Sequence, residues 1–221
     1  MTDQEILSRI DHTLLKAAAT WEEIKTLCDE AVAHKTASVC IPPAYTGRVF
    51  SEYGKNPVIC TVIGFPLGYT YASVKCHEAS RALDDGASEI DMVINIGDVK
   101  NGLFDAVLEE IKAVKKVCGE KILKVIIETC YLSEDEKIRL CGIVTEAGAD
   151  FIKTSTGFGT AGATLADVKL FGQHIGPKVR IKAAGGVKTR DDLEAFIGAG
   201  AARIGTSSAV KLLSGGAAGG Y

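Results

Sequence analysis

Short apolar runs alternate with amphipathic stretches along almost the whole chain. Ile10 to Leu14, Ala37 to Ile41, Pro57 to Phe65, Ser88 to Asn95, Ile122 to Thr129, Asp150 to Thr156, Val179 to Ala184 and Ala202 to Thr206 each read as a strand. Between them the spacing predicts helices. One opens at Thr20 and runs to about His34, with Glu23 as the capping-box partner of Thr20; another is capped by Ser133 and Glu136 and runs to about Ala147. Pro42 and Pro43 stop the second strand, and a short helix follows to about Tyr53. Ala72 to Asp85, Leu103 to Cys118, Leu165 to His174, a Thr189-capped stretch to Ile197, and Ser208 to Leu213 complete the set. Leu103, Val107, Ile111 and Val114 share one face of their helix. Gly86, Gly148, Gly176 and Gly200 stand where helices should stop.

Unbroken strand and helix alternation predicts an α/β protein with a parallel sheet, and eight units is the number that closes into a (β/α)8 TIM barrel. An open doubly wound sheet is the alternative. The expected organisation is a single barrel domain over 1–213 and a flexible glycine-rich tail over 214–221.

Strands covered on both faces normally read as continuous apolar runs, so charges alternating within them need a reason. Ile90, Met92 and Ile94 oppose Glu89, Asp91, Val93 and Asn95; Leu123, Val125 and Ile127 oppose Lys124, Ile126 and Glu128. Lys153 shares a face with Phe151 and Ser155, and Lys182 with Arg180 and Ala184. If the apolar set meets the helices, then Asp91, Lys124, Glu128, Lys153 and Lys182 line the interior, with Arg203 a candidate to join them, and buried charges must pair. Lys124, Glu128 and Arg203 read as structural. Asp91, Lys153 and Lys182 read as chemistry, because active sites of this fold lie at the carboxyl ends of the strands.

Composition narrows the partners. The 221-residue chain has a formal net charge of −3, which offers no electrostatic footprint for nucleic acid or an anionic membrane. The polar start, Met1 to Glu5, lacks a secretory pattern, and no apolar run is long enough to span a bilayer, so a cytoplasmic protein is expected. Seven cysteines make an odd count with no C-x-x-C pair, which suits reduced thiols; Cys28, Cys76, Cys118 and Cys141 fall in helical patterns as packing residues. His12, His34, His77 and His174 are scattered and form no metal-binding motif. Cys40 is a candidate for facing the pocket and meeting reactive aldehydes.

A lysine of ordinary pKa is only about one part in a few thousand neutral at pH 7, and only the neutral amine attacks a carbonyl. A second ammonium on the adjacent strand, together with burial, lowers that pKa, so Lys153 and Lys182 together make one nucleophile of the Schiff-base kind. Asp91 is placed to move protons. The turns Thr156–Gly157, Gly185–Gly186 and Ser207–Ser208 leave neighbouring strands at the same end and offer backbone N–H groups to a phosphate. Tyr221, at the end of a tail that reaches up to about 25 Å when extended, is a candidate proton carrier.

Five stretches carry a resemblance: Ile10 to Leu14, Val62 to Pro66, Glu89 to Asn95, Phe151 to Gly157 and Ile181 to Val187. In these the chain resembles the bacterial deoxyribose-phosphate aldolases. The resemblance implies Lys153 as the Schiff-base lysine, Lys182 as the lysine that perturbs it, Asp91 as proton donor and acceptor, and a C-terminal tyrosine at Tyr221. It also implies reversible cleavage of 2-deoxy-D-ribose 5-phosphate to D-glyceraldehyde 3-phosphate and acetaldehyde in deoxynucleoside catabolism, no metal or cofactor, and a dimer or tetramer. Ala183 stands where many relatives have proline. A Schiff-base aldolase or transaldolase with a longer donor, and a noncatalytic sugar-phosphate sensor, are the alternative readings.

Overall fold

Four N-terminal capping boxes set the phase of helices around the sheet: Thr2 with Glu5, Thr20 with Glu23, Ser133 with Glu136 and Thr189 with Asp192. The computed structural model describes residues 1–216 and orders eight strands, each followed by one or more helices. They are β1 (Ile10–Thr13), β2 (Ser38–Ile41), β3 (Ile59–Ile63), β4 (Glu89–Val93), β5 (Ile122–Ile126), β6 (Phe151–Lys153), β7 (Arg180–Ala184) and β8 (Ala201–Thr206). Every neighbouring pair is parallel, and β1 pairs with β8, so the sheet closes into a (β/α)8 TIM barrel. The open-sheet alternative is excluded by that last pairing.

The helices are α1 (Asp3–Leu7), α2 (Trp21–His34), α3 (Thr46–Tyr53), α4 (Ala72–Asp84), α5 (Ile96–Lys100), α6 (Phe104–Cys118), α7 (Glu134–Glu146), α8 (Leu165–His174), α9 (Arg190–Gly198) and α10 (Ala209–Leu213). The alternation of strand faces holds. Ile90, Met92, Ile94, Leu123, Val125, Ile127, Ile152, Ile181 and Ala183 pack with Val107, Ile111 and Val114 of α6, Leu140 and Val144 of α7, Val168 and Phe171 of α8, and Leu193 of α9 in one apolar layer outside the barrel. Burying side chains of this size contributes about 1.5–3 kcal/mol each.

Two local features depart from the sequence reading. The polar start folds as α1, a helix too short to show periodicity. Gly86, Gly148 and Gly200 adopt positive φ after their helices, whereas Gly176 does not. Gly176 is needed instead for space, because a Cβ there would lie 2.3 Å from Thr145 Cγ2. At the other end of the chain, Ser214, Gly215 and Gly216 fold back on α10 through backbone bonds to Val210, Leu212 and Lys211.

One ion pair lies outside the barrel yet fully inside the protein. Lys75 Nζ of α4 is 2.6 Å from Glu110 Oε1 of α6 and donates to the Val93 carbonyl at 2.8 Å. Glu110 in turn accepts the Asn95 N–H at 3.2 Å. The pair thus terminates β4 on both its carbonyl and its amide side, where the ladder runs out of partners.

Candidate active site

Strand register decides which charges meet. Lys153 and Lys182 are directly paired on β6 and β7, Asp91 is paired with Lys124 across β4 and β5, and Lys182 is paired with Arg203 on β8. All these side chains point into the barrel. Asp91 is the hub: its Oδ2 accepts from Lys153 Nζ at 2.7 Å and from Lys182 Nζ at 2.7 Å, and its Oδ1 accepts from Lys124 Nζ at 2.8 Å.

A second carboxylate, Asp11 of β1, lies 2.5 Å from Lys182 Nζ through Oδ2, and Arg203 donates to its Oδ1. Ser38 also donates to Oδ1, at 2.8 Å. Glu89 completes the ring, 2.6 Å from Lys124 Nζ and 2.9 Å from a second Arg203 nitrogen. Below it, Phe151 is stacked by the guanidinium groups of Arg180 and Arg203, whose carbons lie 4.2 and 5.9 Å from the ring centroid.

Burial alone would favour the neutral forms of these groups, and the pairing outweighs it. Burial pushes the Asp91 carboxyl up, but Lys124, Lys153 and Lys182 hold it well below the usual carboxylate range. Asp11 is lowered in the same way, burial being overcome by Lys182, Lys124 and Arg203. Burial works to strip Lys182 of its proton, but Asp11 and then Asp91 hold the ammonium above the ordinary lysine range. Lys182 is therefore the fixed charge of the pair. The sequence picture of two ammoniums repelling across a gap gains a carboxylate oxygen between them.

After β5 the chain turns sharply. Glu128 sits at φ 54°, ψ 68°, a left-handed conformation that only the surrounding structure can hold. Its carboxylate accepts the Thr156 N–H at 3.1 Å and the Thr156 hydroxyl. Burial raises the Glu128 carboxyl pKa, with the two Thr156 bonds opposing. Both donors of Thr156 are thus committed to Glu128, which leaves Gly157, Gly185 and Gly186 as the loop residues with exposed backbone. Gly157, Gly185 and Gly186 all have positive φ, and Gly162 presses against the turn: a Cβ on Gly162 would lie 2.5 Å from the Gly185 carbonyl carbon. After β8, Ser208 precedes α10 and donates its N–H to Thr206 Oγ1 at 3.1 Å, while Ser207 lines a cavity with Thr13, Lys16 and Lys211.

A profile of the DeoC/LacD family of aldolases matches residues 5–219. The chain belongs to that family. A DeoC/LacD relative from Clostridium botulinum strain Eklund 17B, a deoxyribose-phosphate aldolase, is 62% identical over 221 residues, the whole of both chains. Another, from Clostridioides difficile, is 61% identical over 211 residues, 95% of this chain and 96% of its own. Among solved structures of the family, the tetrameric deoxyribose phosphate aldolase of Aeropyrum pernix superposes with a TM-score of 0.89 at 35% identity, over 96% of this chain and 91% of that one.

Within this DeoC/LacD barrel, Lys153, Lys182 and Asp91 come together as the parity argument requires, with Lys124 beside them. Arg203 joins the ring, and Glu128 stands apart from it after β5, bound to Thr156 of the loop that follows β6. Tyr221 lies outside the described residues. Sequence reasoning missed Asp11, because β1 is too short to display a parity, and missed Cys60, which donates to Asp91 Oδ1 at 3.1 Å. It also missed Gly162, which sits in a loop with no periodic signal.

Proposed function

We propose that this chain is a Schiff-base aldolase that reversibly cleaves 2-deoxy-D-ribose 5-phosphate to D-glyceraldehyde 3-phosphate and acetaldehyde. The observation that carries the reading is the arrangement at the barrel mouth: an inward lysine, Lys153, whose ammonium shares one oxygen of Asp91 with a permanently charged Lys182. The identity of the chain to deoxyribose-phosphate aldolases over its full length supports the substrate.

In the synthetic direction Lys153 releases its proton to solvent, and the free amine attacks acetaldehyde. Lys182 faces the oxygen that develops negative charge and stabilises it electrostatically. Asp91 relays a proton from solvent as the carbinolamine loses water. The resulting enamine attacks the aldehyde of glyceraldehyde 3-phosphate, and water releases the product. Gly157, Gly185, Gly186, Ser207 and Ser208 hold the phosphate, with Thr156 setting the loop through Glu128. Tyr221 is proposed to exchange the proton at the carbon that forms the new bond.

We place the activity in deoxynucleoside catabolism in the cytoplasm, with the barrel of 1–213 as the catalytic domain. All seven cysteines are free, and among the described residues no helix is long and apolar enough to cross a membrane. A homo-oligomer is proposed by likeness to the tetrameric relative.

Borohydride reduction with acetaldehyde tests the chemistry. A stable adduct on Lys153 is the expected result. Trapping only with a ketose phosphate would transfer the chain to aldolases or transaldolases of longer donors, and no adduct with either would leave a sugar-phosphate sensor.

A further inference from the structure

Cys40 and Cys60 occupy directly paired positions of β2 and β3, and both side chains are fully buried. They do not belong to the layer between sheet and helices. With Leu15 and Val62, and flanked by Phe65, they form a separate small cluster on the inner side. Leu15, Val62 and Phe65 also line a surface cavity at the carboxyl ends of the first three strands. The two sulfurs and an Asp91 carboxylate oxygen lie within 4.8 Å of one another. Cys60 Sγ is also 3.2 Å from Lys124 Nζ.

Two thiols this close, beside the hub of the charged ring, are a bidentate soft-donor site that the aldol chemistry does not use. We propose that Cys40 and Cys60 capture a trivalent arsenical carrying at least two hydroxyl groups, such as arsenous or methylarsonous acid, as a cyclic dithioarsenite beside Asp91. Each sulfur forms one bond to arsenic and each displaces one hydroxyl, which leaves as water with a proton given up by the thiol. Arsenic stays trivalent, so no oxidant is consumed.

Charge favours a metalloid over a divalent cation. The Lys124 ammonium already sits against Glu89, Asp91 and Cys60, so a metal ion would meet a like charge at the same ligands. Arsenous acid and its adduct are both neutral. The two thiols differ in the way that stepwise attack needs. Hydrogen bonding from Cys60, followed by the Lys182 ammonium, lowers the Cys40 thiol against the effect of burial, which makes it the first nucleophile. Burial, Cys40 and Asp91 push Cys60 up, so it brings the proton for the second hydroxyl. The way in is the way an aldehyde takes to Lys153, itself only 2% exposed; this step alone rests on the aldolase reading.

The test incubates the full chain with methylarsonous acid in excess 2-mercaptoethanol and reads intact mass, then maps the adduct by peptide. Mass retention does not depend on aldolase turnover, so its failure and the failure of the proposed function are separate results. One arsenical per chain is expected, bridging the Cys40 and Cys60 peptides and removed by 2,3-dimercaptopropanol. Cys40→Ser and Cys60→Ser should each weaken retention by at least about tenfold, about 1.4 kcal/mol. Cys40→Ala and Cys60→Ala, checked for cooperative unfolding, guard against a serine that disturbs the core. Absence of a retained adduct in the unaltered chain, retention undiminished in the variants, or an adduct mapping to Cys76 and Cys118 overturns the assignment.

Discussion

Lys153 and Lys182, paired across β6 and β7, donate to the same oxygen of Asp91, each at 2.7 Å. The two nitrogens therefore lie no further apart than two hydrogen bonds end to end, and what happens to one is felt by the other. Lys182→Leu removes the fixed charge and leaves a shorter apolar side chain in its place. Its kcat in the aldol direction should fall by about two to four orders of magnitude, with borohydride trapping of acetaldehyde at Lys153 slowed in step. Unchanged trapping would remove Lys182 from the imine-forming steps.

Asp91→Ala leaves three buried ammoniums, Lys124, Lys153 and Lys182, without their common partner. Breaking a buried pair from one side costs about 3–5 kcal/mol, and here the loss should show as a lowered urea midpoint as well as lost activity. Asp91→Asn, which keeps the shape and some hydrogen bonding, should recover part of the stability and little of the rate.

The pH dependence of stability follows from the same ring. The surrounding ammonium and guanidinium groups hold Asp91 and Asp11 below the usual carboxylate range in the folded protein. Their contribution is fully present above the unfolded value and is lost as pH falls from about 4 toward the folded one. The neighbouring carboxylates hold Lys124 and Lys182 above the ordinary lysine range. That part is present below about pH 10 and is lost only as pH rises through the folded values. Thermal unfolding scans should give a plateau from about pH 5 to about pH 10 for this contribution. A melting temperature that falls steadily from pH 8 to pH 6 would contradict it.

Lys75→Met strands Glu110 beneath α4 and α6 and frees the Val93 carbonyl. Stability should drop by about 3–5 kcal/mol, and the double variant Lys75→Met, Glu110→Leu should regain much of it. A chemical denaturation cycle measures the coupling, and additive effects would mean the pair is not an energetic unit.

Gly162→Ala forces a methyl group against the Gly185 backbone. The turn that carries Gly185 and Gly186 must shift, so KM for 2-deoxyribose 5-phosphate should rise by about tenfold or more, about 1.4 kcal/mol. Turnover of unphosphorylated 2-deoxyribose should change little. Equal losses on both substrates would place the phosphate elsewhere.

The barrel was legible because its strands carry two patterns at once. Ile90, Met92 and Ile94 mark the helix-facing side, and Asp91 between them marks the interior, so a parity argument places both core and site. The same argument places Lys124, Lys153 and Lys182. It does not reach Asp11, since four residues of β1 are all buried and show no alternation. Nor does it reach the bond from Thr156 to Glu128, which depends on a non-glycine residue turning left-handed after β5. Parity predicts direction only while the backbone stays extended.

The charged ring draws Asp11 from β1, Glu89 and Asp91 from β4, Lys124 from β5, Lys153 from β6, Lys182 from β7 and Arg203 from β8, and Arg203 reaches Asp11 across the seam where first and last strands join. A fragment ending after β4 would hold three acids and none of the bases that neutralise them. Competence is thus an all-or-none property of assembly: half-barrels should be inert, and catalysis should return only when complementing pieces knit the circle shut.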